Sequence, residues 1–146
     1  MDAFSAGLDA HGNNLYIGRG KFKGVLTPGQ LLTEKTGKNR AGLYVMVNSV
    51  QHHILSSIEY YSVDPSCDYQ WVSSTHGHIV ENAVEVDATT KFYVGRVLVK
   101  GSYHVGTVVV KAKMFYLPHN QADVYEVLVC RSNKINRDFF LIISTK

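Results

Sequence analysis

Apolar and polar side chains alternate along this chain in one short segment after another. In residues 15–22 the alternation continues to a turn at Gly24, and a period of two is typical of a half-buried β-strand. Further strands are predicted from their β-branched and aromatic residues over the segments 43–50, 54–63, 69–73, 92–99, 107–113, 124–130 and 139–143. No window keeps a helical period for three turns, so the pattern predicts an all-β sandwich or barrel-like body.

The segment 15–29 returns as the segment 92–106 without a gap. The shared residues are Tyr16, Gly18, Arg19, Lys23, Gly24 and Gly29 in the first copy, and Tyr93, Gly95, Arg96, Lys100, Gly101 and Gly106 in the second. Self-similarity at a fixed offset predicts a repeated structural unit. We expect the repeated arginine to be structural and the glycines at 24, 29, 101 and 106 to take a positive φ.

The repeat has further parts. The segment 58–63 corresponds to 124–129, a turn with a cysteine follows each, and 68–75 corresponds to 138–145. Because 68–75 precedes the second Tyr-Val-Gly-Arg strand and nothing comparable precedes the first, we expect the C-terminal strand to return to the N-terminal repeat. The first repeat then spans 1–66 and is completed by 132–146, and the second spans 67–131. Exchange of this strand with a second protomer is the alternative.

Composition narrows the class of protein. The 146 residues carry a net charge of +3 with 45% hydrophobic residues, which is enough for a core. Two cysteines are too few for a disulfide framework, and we expect Cys67 and Cys130 to be free thiols rather than a bridge. The N-terminus lacks the basic and apolar regions of a signal peptide, and no run approaches membrane-spanning length. This predicts a cytoplasmic protein without membrane insertion, with export without a signal peptide as the alternative.

Few residues point to catalysis or metal binding. His76-Gly-His78 has no third ligand at a clear spacing, so exposed loop histidines are expected rather than a metal site. The carboxylates Glu59 and Glu126 are repeat-related and are expected to form hydrogen bonds within their repeats. No nucleophile elbow is present. The sequence therefore predicts a protein that is not an enzyme and has no cofactor.

Ordered motifs carry a likeness to a known family. Trp71-Val-Ser-Ser-Thr-His-Gly77, Glu81-Asn-Ala-Val84, Phe92-Tyr-Val-Gly-Arg96 and Tyr125-Glu-Val-Leu-Val129 together resemble one DM-nine repeat, and Ala6-Gly-Leu-Asp9, Leu15-Tyr-Ile-Gly-Arg19 and Thr27-Pro-Gly29 resemble another. The resemblance implies an all-β body of two antiparallel repeats with pseudo-twofold symmetry, here circularly shifted. It also implies a mannose-binding lectin of innate immunity or agglutination, often a homodimer.

The same resemblance implies a sugar site. In the lectin members, an Asp before the first strand and a Lys after the Pro-Gly turn bind mannose. Here these positions are Asp9 and Gln30, and loss of the charge would cost on the order of 1 kcal/mol per hydrogen bond. The second repeat offers Asp87 and Thr107, with one residue missing before Phe92. The alternative for both aspartates is capping of their own turns.

The sequence thus predicts a non-catalytic carbohydrate-binding protein whose partners are mannose-containing glycans and a second copy of itself. An interaction scaffold that has lost sugar binding is the alternative, favoured by the amide at Gln30. A third hypothesis, binding of single-stranded nucleic acid, rests on basic residues interleaved with aromatic ones at 21–23 and 111–116. It is disfavoured because the basic residues form no run.

Overall fold

The computed structural model describes residues 2–34, 40–47, 50–76, 78, 80–87, 89–109, 114–116, 124–131 and 140–142. The strands are β1 (Ser5–Leu8), β2 (Asn14–Phe22), β3 (Val25–Leu32), β4 (Gly42–Val47), β5 (Val50–Ile54), β6 (Glu59–Tyr61), β7 (Asp68–Thr75), β8 (Glu85–Asp87), β9 (Phe92–Val99), β10 (Ser102–Val109), β11 (Met114–Tyr116), β12 (Val124–Arg131) and β13 (Phe140–Ile142). Every regular element in this part of the chain is a strand, so the all-β prediction is confirmed.

The strands form two antiparallel sheets with matching order. The first sheet runs β13-β6-β2-β3-β4-β5, with β1 beside β2, and the second runs β7-β12-β9-β10-β11, with β8 beside β9. Each strand of the second sheet thus has a counterpart at the same place in the first. The repeat seen in the sequence is therefore a repeat of sheets.

The C-terminal strand completes the first sheet. β13 pairs antiparallel with β6 of the same chain, as the closure hypothesis predicts, with Phe140 opposite Tyr61. Residues 132–139 and 143–146 of the predicted segment lie outside the described residues. Deep in the body, Ile17 and Tyr61 of the first sheet share one apolar cluster with Leu128 of the second, so the two sheets enclose a common core.

The register differs by one residue from the sequence alignment, both for the closing strands and for the segments 58–63 and 124–129, where Glu59 corresponds to Glu126 rather than to Tyr125. Arg19 pairs with Glu59 and Arg96 pairs with Glu126, and from these pairs Phe140 occupies the position of Trp71. The alignment had placed Leu141 there. The reason is packing: the guanidinium of Arg19 lies 4.3 Å from the ring centroid of Phe140, and that of Arg96 lies 4.1 Å from Trp71.

The two arginines also join the repeats. Nη1 of Arg19 donates to the carbonyl oxygen of Val86 at 2.6 Å, and Nη1 of Arg96 donates to that of Ala6 at 2.6 Å. Each guanidinium pairs with a glutamate of its own repeat, Glu59 or Glu126. The prediction of structural arginines and repeat-internal glutamates is confirmed. Each arginine also donates to a carbonyl oxygen of the other repeat, so the two arginines connect the sheets in both directions.

The predicted turn at Pro28-Gly29 is wrong, because both residues lie inside β3. β4 pairs with β3 only from Gly29 onward, so Pro28 stands where its missing N–H removes no ladder bond. Gly24 and Gly101 have the predicted positive φ, but Gly29 and Gly106 do not. Gly29 is needed for another reason: a Cβ there would collide with the carbonyl oxygen of Tyr44.

The prediction of free thiols is also wrong, since Cys67 and Cys130 form a disulfide with a Cα–Cα distance of 5.1 Å. The β7–β12 ladder sets Asp68 opposite Arg131 and Tyr69 opposite Cys130. Cys67 directly precedes this ladder, so its side chain falls beside that of Cys130. The pairing depends on a register that the spacing of two cysteines does not reveal.

Candidate carbohydrate-binding site

Asp9 holds the turn between β1 and β2. Its Oδ1 accepts hydrogen bonds from the backbone N–H groups of His11 and Asn13, both at 2.9 Å. Partial burial acts to raise the pKa of Asp9, but the hydrogen bonds from Asn13 and His11 outweigh it and hold the pKa below its usual value. The carboxylate is therefore ionised at neutral pH, and it caps its own turn as the alternative interpretation predicts.

A polar cavity of about 170 Å³ opens beside this turn. We call it the Asp9-turn cavity, and it is lined by Gly12, Asn13, Asn14, Tyr16, Leu32, Thr33 and Glu34. A side-chain hydrogen bond from Asn13 also contributes to the lowered pKa of Asp9. Ser5 Oγ donates to Oδ1 of Asn14 at 2.8 Å, so the amide nitrogen is the group that Asn14 can offer to a ligand. Two amides, a hydroxyl, a carboxylate and an aromatic ring thus meet at one opening.

Gln30 lies away from that opening, in the middle of β3, between Ile17 of β2 and Tyr44 of β4. Its Oε1 accepts a hydrogen bond of 3.2 Å from the backbone N–H of Val105 in β10. The amide therefore joins the two repeats. Among the described hydrogen bonds, none connects Asp9 to Gln30.

Thr107 takes the equivalent place in the second repeat and is 2% exposed. Its Oγ1 donates to the carbonyl oxygen of Pro28 at 3.4 Å, and Pro28 corresponds to Val105. A glutamine at 107 would find no N–H on Pro28 to accept from, whereas a threonine can donate to the carbonyl. The difference between the copies at these two positions thus follows from the contact between repeats.

Asp87 ends β8 and also caps a turn, because its Oδ1 accepts from the N–H of Thr89 at 3.0 Å. The hairpin around it is also shorter than its counterpart in the first repeat. Ser5 pairs with Tyr16 in the first repeat, but Glu85 pairs with Tyr93 in the second, so the second hairpin is three residues shorter as a whole. The described hydrogen bonds do not join Asp87 to Thr107.

The residues of the Asp9-turn cavity were not among the predicted ligands. The signal in the sequence is Gly12-Asn-Asn14, which indicates a turn but not that Thr33 and Glu34 lie next to it. That proximity comes from the β2–β3 register, in which Tyr16 faces Leu31. Sequence spacing alone cannot supply it.

Neither candidate metal ligands nor a membrane-spanning helix point to a further site in the described residues. Asp64, Cys67 and Cys130 come within metal-ligand distance of one another, but the disulfide occupies both sulfur atoms. His76 is exposed, and its Nδ1 lies 2.6 Å from Thr75 Oγ1; Gly77 lies outside the described residues. Over the described ranges no helix is long and apolar enough to cross a bilayer.

Comparison with known proteins agrees with the repeated sheets. The family profile of the DM9 repeat matches residues 9–126, a segment that reaches from the Asp9 turn into β12 and covers more than half of the chain. A comparison with curated proteins finds no significant match. On the profile match and the doubled sheet, the chain belongs to the DM9 repeat family.

Proposed function

We propose that this protein is a mannose-type lectin that binds glycans without catalysis, and that its ligand enters the Asp9-turn cavity. Membership of the DM9 repeat family supports a carbohydrate-binding module. The observation that carries the proposal is the cavity itself, whose volume of about 170 Å³ lies below the range of about 300–1,000 Å³ for drug-sized ligands. A single sugar residue is smaller than a drug-sized ligand, so a cavity of this size suits one sugar residue.

The lining suits a ring with hydroxyl groups on one side and C–H groups on the other. Amide donors at Asn13 and Asn14 and the oxygens of Glu34 can take hydroxyl groups, and a carboxylate contributes charge-assisted hydrogen bonds. Tyr16 supplies an aromatic wall. Asp9 acts as a positioning residue, because it fixes the turn that carries Asn13.

A small cavity of this kind binds weakly, and function would depend on several sites acting together. We propose that the protein forms a homodimer, which presents two copies of the cavity and raises the apparent affinity for a branched glycan. Agglutination of mannose-bearing cells is the expected consequence. The Cys67–Cys130 disulfide favours export, the alternative to the expected cytoplasmic location, because such bonds persist in oxidising compartments.

The test is retention on mannan and titration with methyl mannoside. Asp9→Ala and Asn13→Ala should abolish retention, because the first frees the turn and the second removes a donor. Asp87→Ala is the matched control, since Asp87 caps a turn in the same manner but lies outside the cavity lining. Failure of the wild-type protein to bind millimolar methyl mannoside, or equal retention of all three variants, would reject the proposal.

The second candidate is an interaction scaffold without sugar binding. One observation favours it: the amide of Gln30, at the position of the lectin lysine, is engaged with Val105. The scaffold hypothesis predicts that no glycan on an array is bound. It also predicts that the immobilised protein retains a protein partner. A positive array with loss in Asn13→Ala excludes it.

A further inference from the structure

A second and larger opening lies between the two sheets. This inter-sheet cleft has a volume of about 490 Å³, within the range of about 300–1,000 Å³ that small-molecule sites occupy. It is lined from the first sheet by Phe22, Met46 and Val50, and from the second sheet by Phe92 and Val109. The cleft is therefore built by both repeats.

The cleft is separate from the Asp9-turn cavity. Tyr16 lines the cavity and Phe22 lines the cleft, and these residues lie at opposite ends of β2. Tyr16 and Phe22 are six positions apart on an extended strand, which corresponds to about 20 Å between the two residues. A ligand in one opening would leave the other accessible.

The walls of the cleft are mainly apolar. The hydroxyl of Thr27 donates to the carbonyl oxygen of Val25, and that of Thr107 donates to Pro28. Both hydroxyl donors are thus used within the fold rather than offered to a ligand. The ring of His52 lies 4.1 Å from that of Phe22, centroid to centroid, and extends the aromatic wall. Such a wall favours alkyl or aromatic groups over sugars.

Among the described residues that line the cleft, the acidic side chains, lysines and arginines amount to a single lysine. Lys23 sits in the β2–β3 turn with a φ of 50°, and its Nζ lies 5.5 Å from the ring centroid of Phe22. The described lining residues include this ammonium group and no carboxylate. An apolar ligand with one anionic end would place its chain on the walls and its charge near Lys23.

We propose that the inter-sheet cleft binds an amphiphile with a single anionic head group and an alkyl chain, of the type of a medium-chain fatty acid. The site is independent of the proposed sugar site and would give the protein a second ligand class. Burial of each further methylene should tighten binding about fourfold. Affinity should therefore rise about fifteenfold from octanoate to decanoate, as long as the cleft still holds the chain.

The experiment is calorimetric titration of the full chain with hexanoate, octanoate and decanoate, and with decyltrimethylammonium as the cationic probe of equal chain length. The expected result is saturable binding of decanoate, the stated dependence on chain length, and weaker binding of the cation. No saturable binding of decanoate at millimolar concentration would overturn the proposal. Equal binding of the ammonium probe would overturn the assignment of the charge.

Two variants locate the site. Val50→Trp, at a lining position that is 54% exposed, should fill the opening and weaken decanoate binding at least tenfold. Lys23→Gln should abolish the preference for the anion, while Lys21→Gln, an exposed lysine of β2 outside the lining, should leave it unchanged. The unfolding midpoint checks that each variant is folded. Wild-type affinity in Val50→Trp would overturn the placement in the cleft.

Discussion

The backbone N–H of Val105 donates a hydrogen bond of 3.2 Å to Oε1 of Gln30 across the two repeats. This bond makes the residue at the lectin lysine position part of the contact between sheets. Its counterpart from Thr107 to Pro28 has the donor reversed, because proline has no N–H. Sequence divergence between two copies of a scaffold can therefore reflect their mutual contact rather than a ligand.

Replacing Gln30 should affect stability and leave sugar binding in place. In Gln30→Leu the N–H of Val105 loses its acceptor, and we expect the free energy of unfolding to fall by about 1–2 kcal/mol. Urea denaturation measures this. Gln51→Leu, at an exposed position of β5, is the control and should change stability by less than about 0.5 kcal/mol. If Gln30→Leu keeps full stability but no longer binds mannan, Gln30 is a ligand instead.

Removing only one partner of the ion pair between Arg19 and Glu59 should lower the free energy of unfolding strongly. Arg19 is 8% exposed, and Arg19→Met leaves Glu59 without its partner and the carbonyl of Val86 without its donor. We expect a loss of about 3 kcal/mol. The double variant Arg19→Met, Glu59→Met should recover part of this loss, since no unpaired carboxylate remains. Additive losses in the cycle, measured by urea denaturation, would show that the pair is not coupled.

The disulfide should stabilise the fold strongly. It closes a loop with a sequence separation of 63, for which loop-closure entropy gives about 4 kcal/mol. Unfolding with and without reductant, and of the double variant Cys67→Ser, Cys130→Ser, measures the difference. Rapid alkylation of both sulfur atoms in the native, unreduced protein would contradict the bridge.

Acid should weaken the Asp9 turn. The folded-state pKa of Asp9 lies below its ordinary value, because the hydrogen bonds from Asn13 and His11 outweigh partial burial. Its contribution to stability is therefore fully present above the unfolded pKa of about 3.9 and is lost as the pH falls through the lower folded value. Thermal unfolding between about pH 6 and pH 2.5 should show a smaller acid loss in Asp9→Asn than in the wild-type protein. Identical acid profiles would contradict this role.

Repetition and alternation in the sequence were sufficient to predict the all-β class, the doubled architecture and the return of the C-terminal strand. They missed β3, since Pro28-Gly29 has the composition of a turn, and only the end of the β4 ladder explains why a proline fits there. The predicted strands 43–50 and 54–63 divide differently, into β4, β5 and β6. Local patterns do not fix where ladders begin and end.

The candidate site was harder to predict than the fold. Asp9 was predicted as a ligand from the family resemblance, and its turn-capping alternative matches the hydrogen bonds observed. Thr33 and Glu34 were not found, because their proximity to Asn13 depends on strand register. The disulfide and the hydrogen bond between Gln30 and Val105 depend on strand register in the same way. The residue pattern does not show which distant segments pair, so it could not predict these contacts.

The most direct test of the central proposal is a titration of isotope-labelled protein with methyl mannoside, followed by amide chemical shifts. The Asp9-turn cavity predicts saturable shifts at residues 12–14 and at 33–34, absent in Asn13→Ala and retained in Asp87→Ala. Shifts centred instead on Gln30 and Val105, or no saturable shifts at all with the wild-type protein, would contradict a sugar site at the Asp9 turn.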